Sequence, residues 1–201
     1  MKEGRPPLPA PDVILASASP RRRELLSLIF SDFRVIPSEF DEDSVPSHLA
    51  PPDYVLHSAI MKARDVAARF PESIIIGADT IVVIDEAILG KPRDTADAAR
   101  MLRLLSGRTH RVYTGVAVMR GGIEHAAVEC TEVTFRELSD EMICRYIASG
   151  EPMDKAGAYA IQGKGAVLIS SISGCYPNVV GLPLYRLSLL LGKLGIEPLC
   201  E

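Results

Sequence analysis

The sequence has no apolar run approaching the roughly 20 residues of a membrane span, so no transmembrane segment and no membrane partner is expected. Its start, MKEGRPPLPAPD, carries no apolar signal core, which leaves the cytoplasm as the expected compartment. Cysteine is sparse: Cys130, Cys144, Cys175 and Cys200 lie far apart and form no CxxC pair. A structural zinc site is therefore not expected, and free thiols in a reducing cytosol are the plain reading. A basic excess is also missing. The net charge of −4 argues against nucleic acid as a partner, while a local basic cluster can still hold a small anion inside an acidic protein. There is no internal repeat and no long linker. The histidines form no HExxH or other close ligand pair, and Ser170, Ser171 and Ser173 sit in no nucleophile elbow.

What is present is an ordinary soluble composition, 47% apolar and 24% charged over 201 residues. We expect a flexible proline-rich tail over 1–12 and one domain over 13–198. Val13–Ala16 reads as a buried strand, and Ser19-Pro20 as the cap and first position of a helix running to about Ile29. Phe33–Pro37 reads as a second short strand, Ser38–Pro52 as a loop, and Asp53–Phe70 as a helix on the spacing of Val55, Ala59, Ala63 and Val66. Ile74–Ile84 is an apolar strand expected to break at Gly77-Ala78-Asp79-Thr80, turn at Asp85-Glu86 and return over Ala87–Leu89. Asp94 or Thr95 caps a helix that Gly107 stops. Arg111–Met119 and Val128–Phe135 read as strands joined through Gly121-Gly122. Ser139 caps a short helix, Ala166–Ile172 is a strand, and Leu184–Leu194 is a final helix. Helices interleaved with hairpins predict an α/β or α+β fold on a mixed sheet.

Five segments carry chemistry. In Ala16-Ser17-Ala18-Ser19-Pro20-Arg21-Arg22-Arg23, free N–H groups and the positive end of a helix dipole gather beside three arginines. A bound anion would resolve that conflict; the alternative is a capped helix with solvated arginines. Asp79 is a carboxylate in an apolar run, costly unless paired or metal-bound. Gly77 and Ala78 would leave room there for a ligand, the alternative being a turn aspartate between two strands. Glu39-Phe40-Asp41-Glu42-Asp43 offers hard oxygens that suit magnesium, although such a run is commonly solvated surface. Lys91, in Gly90-Lys91-Pro92-Arg93-Asp94, and Lys62, on an apolar helix face, could each reach a phosphate or be surface lysines. Gly150–Gly163 is rich in small residues that could close over a ligand, and the Gln162 amide suits the edge of a base. Gly157 to Gly163-Lys164 fails as a P-loop, because its glycines are one residue too far apart and Gly165 replaces the Ser or Thr.

In this order, LASASPRRRELL (15–26), SEFDE (38–42), GADTIVV (77–83), LGKPRD (89–94), LSGRTHRVYTGVAV (105–118), SGEPMDKAGAYAIQG (149–163) and NVVGLPL (178–184) resemble the Maf family of nucleotide pyrophosphatases. The resemblance implies an α/β (α+β) fold: a mixed twisted sheet flanked by helices, with two lobes around a central cleft, related to the inosine-triphosphate pyrophosphatases and often dimeric. It also implies a site of Ser17, Ser19, Arg21, Arg22, Glu42, Asp79 and Lys91, joined by Lys62, Asp154 and Lys155. Arg21, Thr80 and Gln162 resemble the dTTP/UTP branch rather than the 7-methyl-GTP branch. Ala160 departs from the family, where glycine is common.

The expected activity is hydrolysis of nucleoside triphosphates to monophosphate and pyrophosphate with a divalent ion, magnesium or manganese. Glu42 would hold the ion. Asp79 would be a second ligand or would orient or deprotonate the water. Lys91, Arg21 and Lys62 would stabilise phosphate charge. A nucleotide-binding regulator of cell division with little turnover is the competing reading, and purine substrates such as ITP are disfavoured by Arg21, Thr80 and Gln162.

Overall fold

The computed structural model describes residues 12–198; the tail expected over 1–12 lies, apart from Asp12, outside the described residues, as does Cys200. The described cysteines Cys130, Cys144 and Cys175 are unpaired. Seven strands form one sheet: β1 (Val13–Leu15), β2 (Arg34–Val35), β3 (Ile74–Ile84), β4 (Ala87–Leu89), β5 (Thr109–Arg120), β6 (Ile123–Phe135) and β7 (Ile169–Ser173). Their order is β2-β1-β3-β5-β6-β7, with β4 beside β3. β1 runs parallel to β2 and β3, and the remaining pairs are antiparallel, so the sheet is mixed. The helices are α1 (Pro20–Leu26), α2 (Pro51–Ala67), α3 (Thr95–Leu105), α4 (Asp140–Ala148), α5 (Tyr176–Val180) and α6 (Leu184–Lys193). No helix among the described residues is long and apolar enough to cross a membrane.

Apart from Asp79 and Thr80, β3 is apolar because helices cover both of its faces. Its first half, with Ile74, Ile76 and Ala78, packs on Leu25 and Leu26 of α1 and Leu187, Leu190 and Leu191 of α6. On the opposite face Ile75 meets Ala59, Ala63 and Val66 of α2. Its second half, with Val82 and Ile84, belongs to another core with Met101, Leu102 and Leu105 of α3 and Ile143 and Tyr146 of α4. Asp79 and Thr80 fall at the boundary between these cores.

The expected break in β3 is absent. Asp79 sits mid-strand opposite Gly115, so it is not a turn residue. The space beside Gly77 is not left for a ligand either. A Cβ there would stand 2.4 Å from the Ala59 carbonyl oxygen, and one at Gly115 would stand 2.1 Å from that of Val55. The two glycines let α2 lie directly on the sheet.

Other boundaries shift for local reasons. α1 stops at Leu26, short of Ile29, with the Ser27 N–H turned back to the Arg23 and Leu25 carbonyls. α2 begins at Pro51, because prolines in the first turn lose no hydrogen bond. Gly163–Leu168 forms a 3-10 turn, which delays β7 to Ile169. The short α5 gave no sequence signal.

One feature of the sheet creates the cleft. Pairing of β1 with β3 ends at Leu15 and Ile76, where Ala16 N–H donates to the Ile76 carbonyl at 2.8 Å. Pairing with β4 starts only at Val82. Between them the chain leaves β1 for α1, and Gly77–Ile81 keeps a strand neighbour on the β5 side alone. Such a point, where the chain departs from the carboxyl end of a strand, is a favoured place for a ligand crevice in an open sheet.

Candidate active site

The cleft has a volume of ≈ 660 Å³, and every residue that the family resemblance implies for the site lines it, whereas Glu39 and Asp41 of the acidic loop do not. Its floor is an ion triad. Lys62, from α2, places Nζ 2.7 Å from Asp79 Oδ1 and 2.7 Å from Glu42 Oε1. Lys62 and Asp79 are both buried, at 8% and 7% exposure, whereas the Glu42 side chain is 58% exposed. Lys62 is therefore no surface lysine; without it Asp79 would be an unpaired buried charge. Glu42 reaches the triad from a 3-10 turn, Glu42–Ser44, inside the expected loop. That turn is capped by Asp41 Oδ1, which accepts from Asp43 N–H at 3.0 Å. Burial raises the Glu42 carboxyl, but the hydrogen bond and charge of Lys62, with Lys91 and Arg22 behind it, outweigh burial and hold it below the ordinary glutamate value.

The α1 end supplies the opposite wall. Ser19 caps the helix, its Oγ accepting from Arg22 N–H at 3.4 Å. Ser17 is buried, and its Oγ accepts from Arg22 Nη1 at 3.1 Å and from Ser19 N–H at 3.3 Å. Arg22 also donates to the Gly181 carbonyl at 2.9 Å and to Thr80 Oγ1 at 3.1 Å. Thr80 continues this chain to Thr114 Oγ1 at 3.0 Å, and Thr114 donates to the Asn178 carbonyl at 3.0 Å. Arg22 is thus held by oxygens of the protein itself. Arg21 is less engaged, with a single ion pair of 3.7 Å to Asp154. The exposed Arg23 does not line the cleft.

The third wall is the loop after α4. Lys155 Nζ bonds Asp154 at 2.5 Å and the Glu151 carbonyl at 2.7 Å. Gly157 N–H donates to the Gly90 carbonyl at 3.0 Å, which ties this loop to the segment bearing Lys91. Gly150, Gly157, Ala158 and Gly163 all have positive φ, and Ala158, at φ 58°, is held there while fully buried. Gln162 lines the cleft from this wall, next to Tyr159, Ala160 and Ile161.

Sequence reading missed several members. Tyr54 lines the cleft, and burial with the charges of Asp79, Glu42 and Asp43 raises its phenol. Its place on the helix, four residues before Ser58 and eight before Lys62, was the signal available for it. The Gly181 carbonyl and Thr114 gave none. No group of three or more His, Cys, Asp or Glu side chains converges among the described residues. The metal expectation therefore rests on a pair. Asp79 and Glu42 converge on one cationic centre, the Lys62 ammonium, and two such hard carboxylates fit a magnesium or manganese ion that takes its other ligands from phosphate and water.

The family model described as Maf-like protein matches residues 12–194. A Symbiobacterium thermophilum protein named dTTP/UTP pyrophosphatase is 54% identical over 183 residues, which span 91% of this chain and 94% of that one. A Moorella thermoacetica protein of the same name is 52% identical over 190 residues, spanning 92% of this chain and 96% of that one. Among solved structures, the Staphylococcus aureus Ham1 protein has a TM-score of 0.45 and 18% identity, with 79% of each chain covered. A match of this extent, to the family and to relatives at more than half identity, makes this chain a member of the Maf family.

Proposed function

We propose that this protein hydrolyses nucleoside triphosphates, dTTP and UTP foremost, to the nucleoside monophosphate and pyrophosphate. The observation that carries this reading is the Lys62 bridge between Asp79 and Glu42, set in one cleft with the α1 N-terminus, Arg21 and Lys91. The names of the relatives, dTTP/UTP pyrophosphatase, support the substrate.

In this mechanism Lys62 fixes Asp79 through Oδ1, which leaves Oδ2 to orient the attacking water and take its proton. The water oxygen bonds to the α-phosphorus, and the bridging oxygen between the α- and β-phosphorus departs with pyrophosphate. Lys91 and Arg21 offset the charge on that leaving group, and the α1 N-terminus receives phosphate oxygens. Glu42 and Asp79 would hold a magnesium or manganese ion, which when bound neutralises triphosphate charge. Gln162 presents a donor and an acceptor to the imide edge of uracil or thymine. The family resemblance further supports a cytoplasmic homodimer. The competing reading, a nucleotide-binding regulator with little turnover, has no observation of its own.

The test is a panel of canonical and modified triphosphates with magnesium or manganese, scored for monophosphate and pyrophosphate. We expect dTTP and UTP to lead the purine nucleotides by at least about tenfold in kcat/KM. Binding without pyrophosphate release would overturn the enzyme reading, and a lead for ITP or GTP would overturn the base assignment.

A further inference from the structure

We infer that Glu151 is a positioning residue for base selection, acting on Gln162 through the backbone of the segment that carries it; this rests on the reading above. Glu151 and its partner Tyr146 do not line the cleft, whereas Tyr159, Ala160, Ile161 and Gln162 do. Yet both ends of the Gln162 segment are fastened to this pair. On the far side, Glu151 Oε2 accepts from Lys164 N–H at 2.9 Å and Oε1 accepts from Gly165 N–H at 2.9 Å. On the near side, Ala160 N–H donates to the Tyr146 hydroxyl at 3.1 Å, which in turn donates to Glu151 Oε1 at 2.9 Å. One carboxylate thus closes a loop of backbone with Gln162 in its middle.

The loop is wound without slack. A Cβ at Gly163 would stand 2.6 Å from Glu151 Oε2, and one at Gly165 would stand 2.2 Å from the Ala160 carbonyl oxygen and 2.7 Å from the Tyr146 hydroxyl. The carboxylate is also poised to stay ionised. Burial raises it, but the N–H groups of Lys164 and Gly165, the Tyr146 hydroxyl and the Lys155 charge together hold it below the ordinary glutamate value. Charge-assisted bonds of this kind are stronger than neutral ones. Glutamine is nearly the same shape and cannot replace them: its NH2 group would face a backbone N–H, donor against donor. The side chain that meets the base is therefore aimed by an anion outside the cleft.

The experiment compares the full-length wild type with Glu151→Gln, Gln162→Ala and the double variant, in steady-state kinetics with dTTP, UTP, dCTP and dGTP alongside thermal midpoints. Glu151→Gln is expected to raise KM for dTTP on the order of tenfold and to narrow its lead over dGTP similarly, with kcat within about twofold. The double variant is expected to be no less selective than Gln162→Ala alone, because Glu151 works only through that side chain. An undiminished lead over dGTP in Glu151→Gln, or losses that add in the double variant, would overturn the inference. Should Glu151→Gln fail to fold, Tyr146→Phe removes one donor to the same carboxylate and the acceptor for Ala160 N–H. It is expected to shift selectivity in the same direction by a smaller factor, and unchanged selectivity there would overturn the inference as well. A wild type that turns over no pyrimidine triphosphate fails the earlier reading and this one with it. A selective wild type beside an equally selective Glu151→Gln fails this one alone.

Discussion

The two ends of the cleft are built by different means. At the end proposed for the triphosphate, side chains on rigid elements meet directly: Lys62 on α2 with Asp79 on β3, and Arg22 on α1 with the neighbouring Thr80. At the other end, proposed for the base, the wall is backbone, bent through left-handed residues at Gly157, Ala158 and Gly163 and fastened by Glu151. Residue type specifies the first, and chain conformation specifies the second. A change at the first end should therefore alter the rate for every nucleotide alike, and a change at the second should alter the choice among nucleotides.

The largest test of that division is Asp79→Asn. Lys62 keeps an oxygen partner, so the fold should persist by circular dichroism, while turnover of all triphosphates drops together by roughly a thousandfold or more. Unchanged hydrolysis of dTTP would remove Asp79 from the mechanism, and a loss confined to one base would erase the distinction between the ends. Next in size is Gly115→Ala, which forces a methyl into the Val55 carbonyl and must lift α2, and Lys62 with it. We expect a destabilisation of about 1–3 kcal/mol, read as a lower thermal midpoint, together with reduced kcat. A variant as stable and active as wild type would mean that α2 tolerates a looser seat.

The smallest effect belongs to the base end. His110 is buried, with Nε2 2.7 Å from the hydroxyl of Tyr159 in the cleft wall. Burial lowers its pKa from 6.5 to about 4. As pH falls below 6.5 the unfolded chain takes up a proton that the folded chain refuses, so stability declines in the acid direction. Between pH 7 and 5.5 this one group should contribute about 1 kcal/mol of that decline. Urea midpoints at both pH values should show a shallower decline in His110→Gln, and equal slopes would show that His110 does not titrate this way.

How much was legible in the sequence follows the same contrast. Ser17, Ser19, Glu42, Asp79 and Lys91 announce themselves by type and local motif, and the structure gathers them at one cleft. The continuity of β3 was hidden, because Gly and Asp are also the common residues of turns. Only the distant partner Gly115 and the approach of α2 decide between strand and turn. The importance of Lys62 was hidden likewise: its two carboxylates lie 17 and 20 positions away, and no local pattern brings them to it. The clasp of Glu151 spans 13 and 14 positions and engages backbone N–H groups, which every residue but proline offers, so the sequence carries no mark of it.

The stretch of β3 with a strand partner on one side only has a consequence beyond providing space. A sheet ordinarily works as a partition, and a molecule on one side has no access to the other. Asp79 turns toward α2, while Thr80 turns toward Arg22 and Gly181, yet both border the same cavity. At this doorway in the partition one small molecule can be gripped from both compartments at once, and the packing of either compartment bears on how it is held.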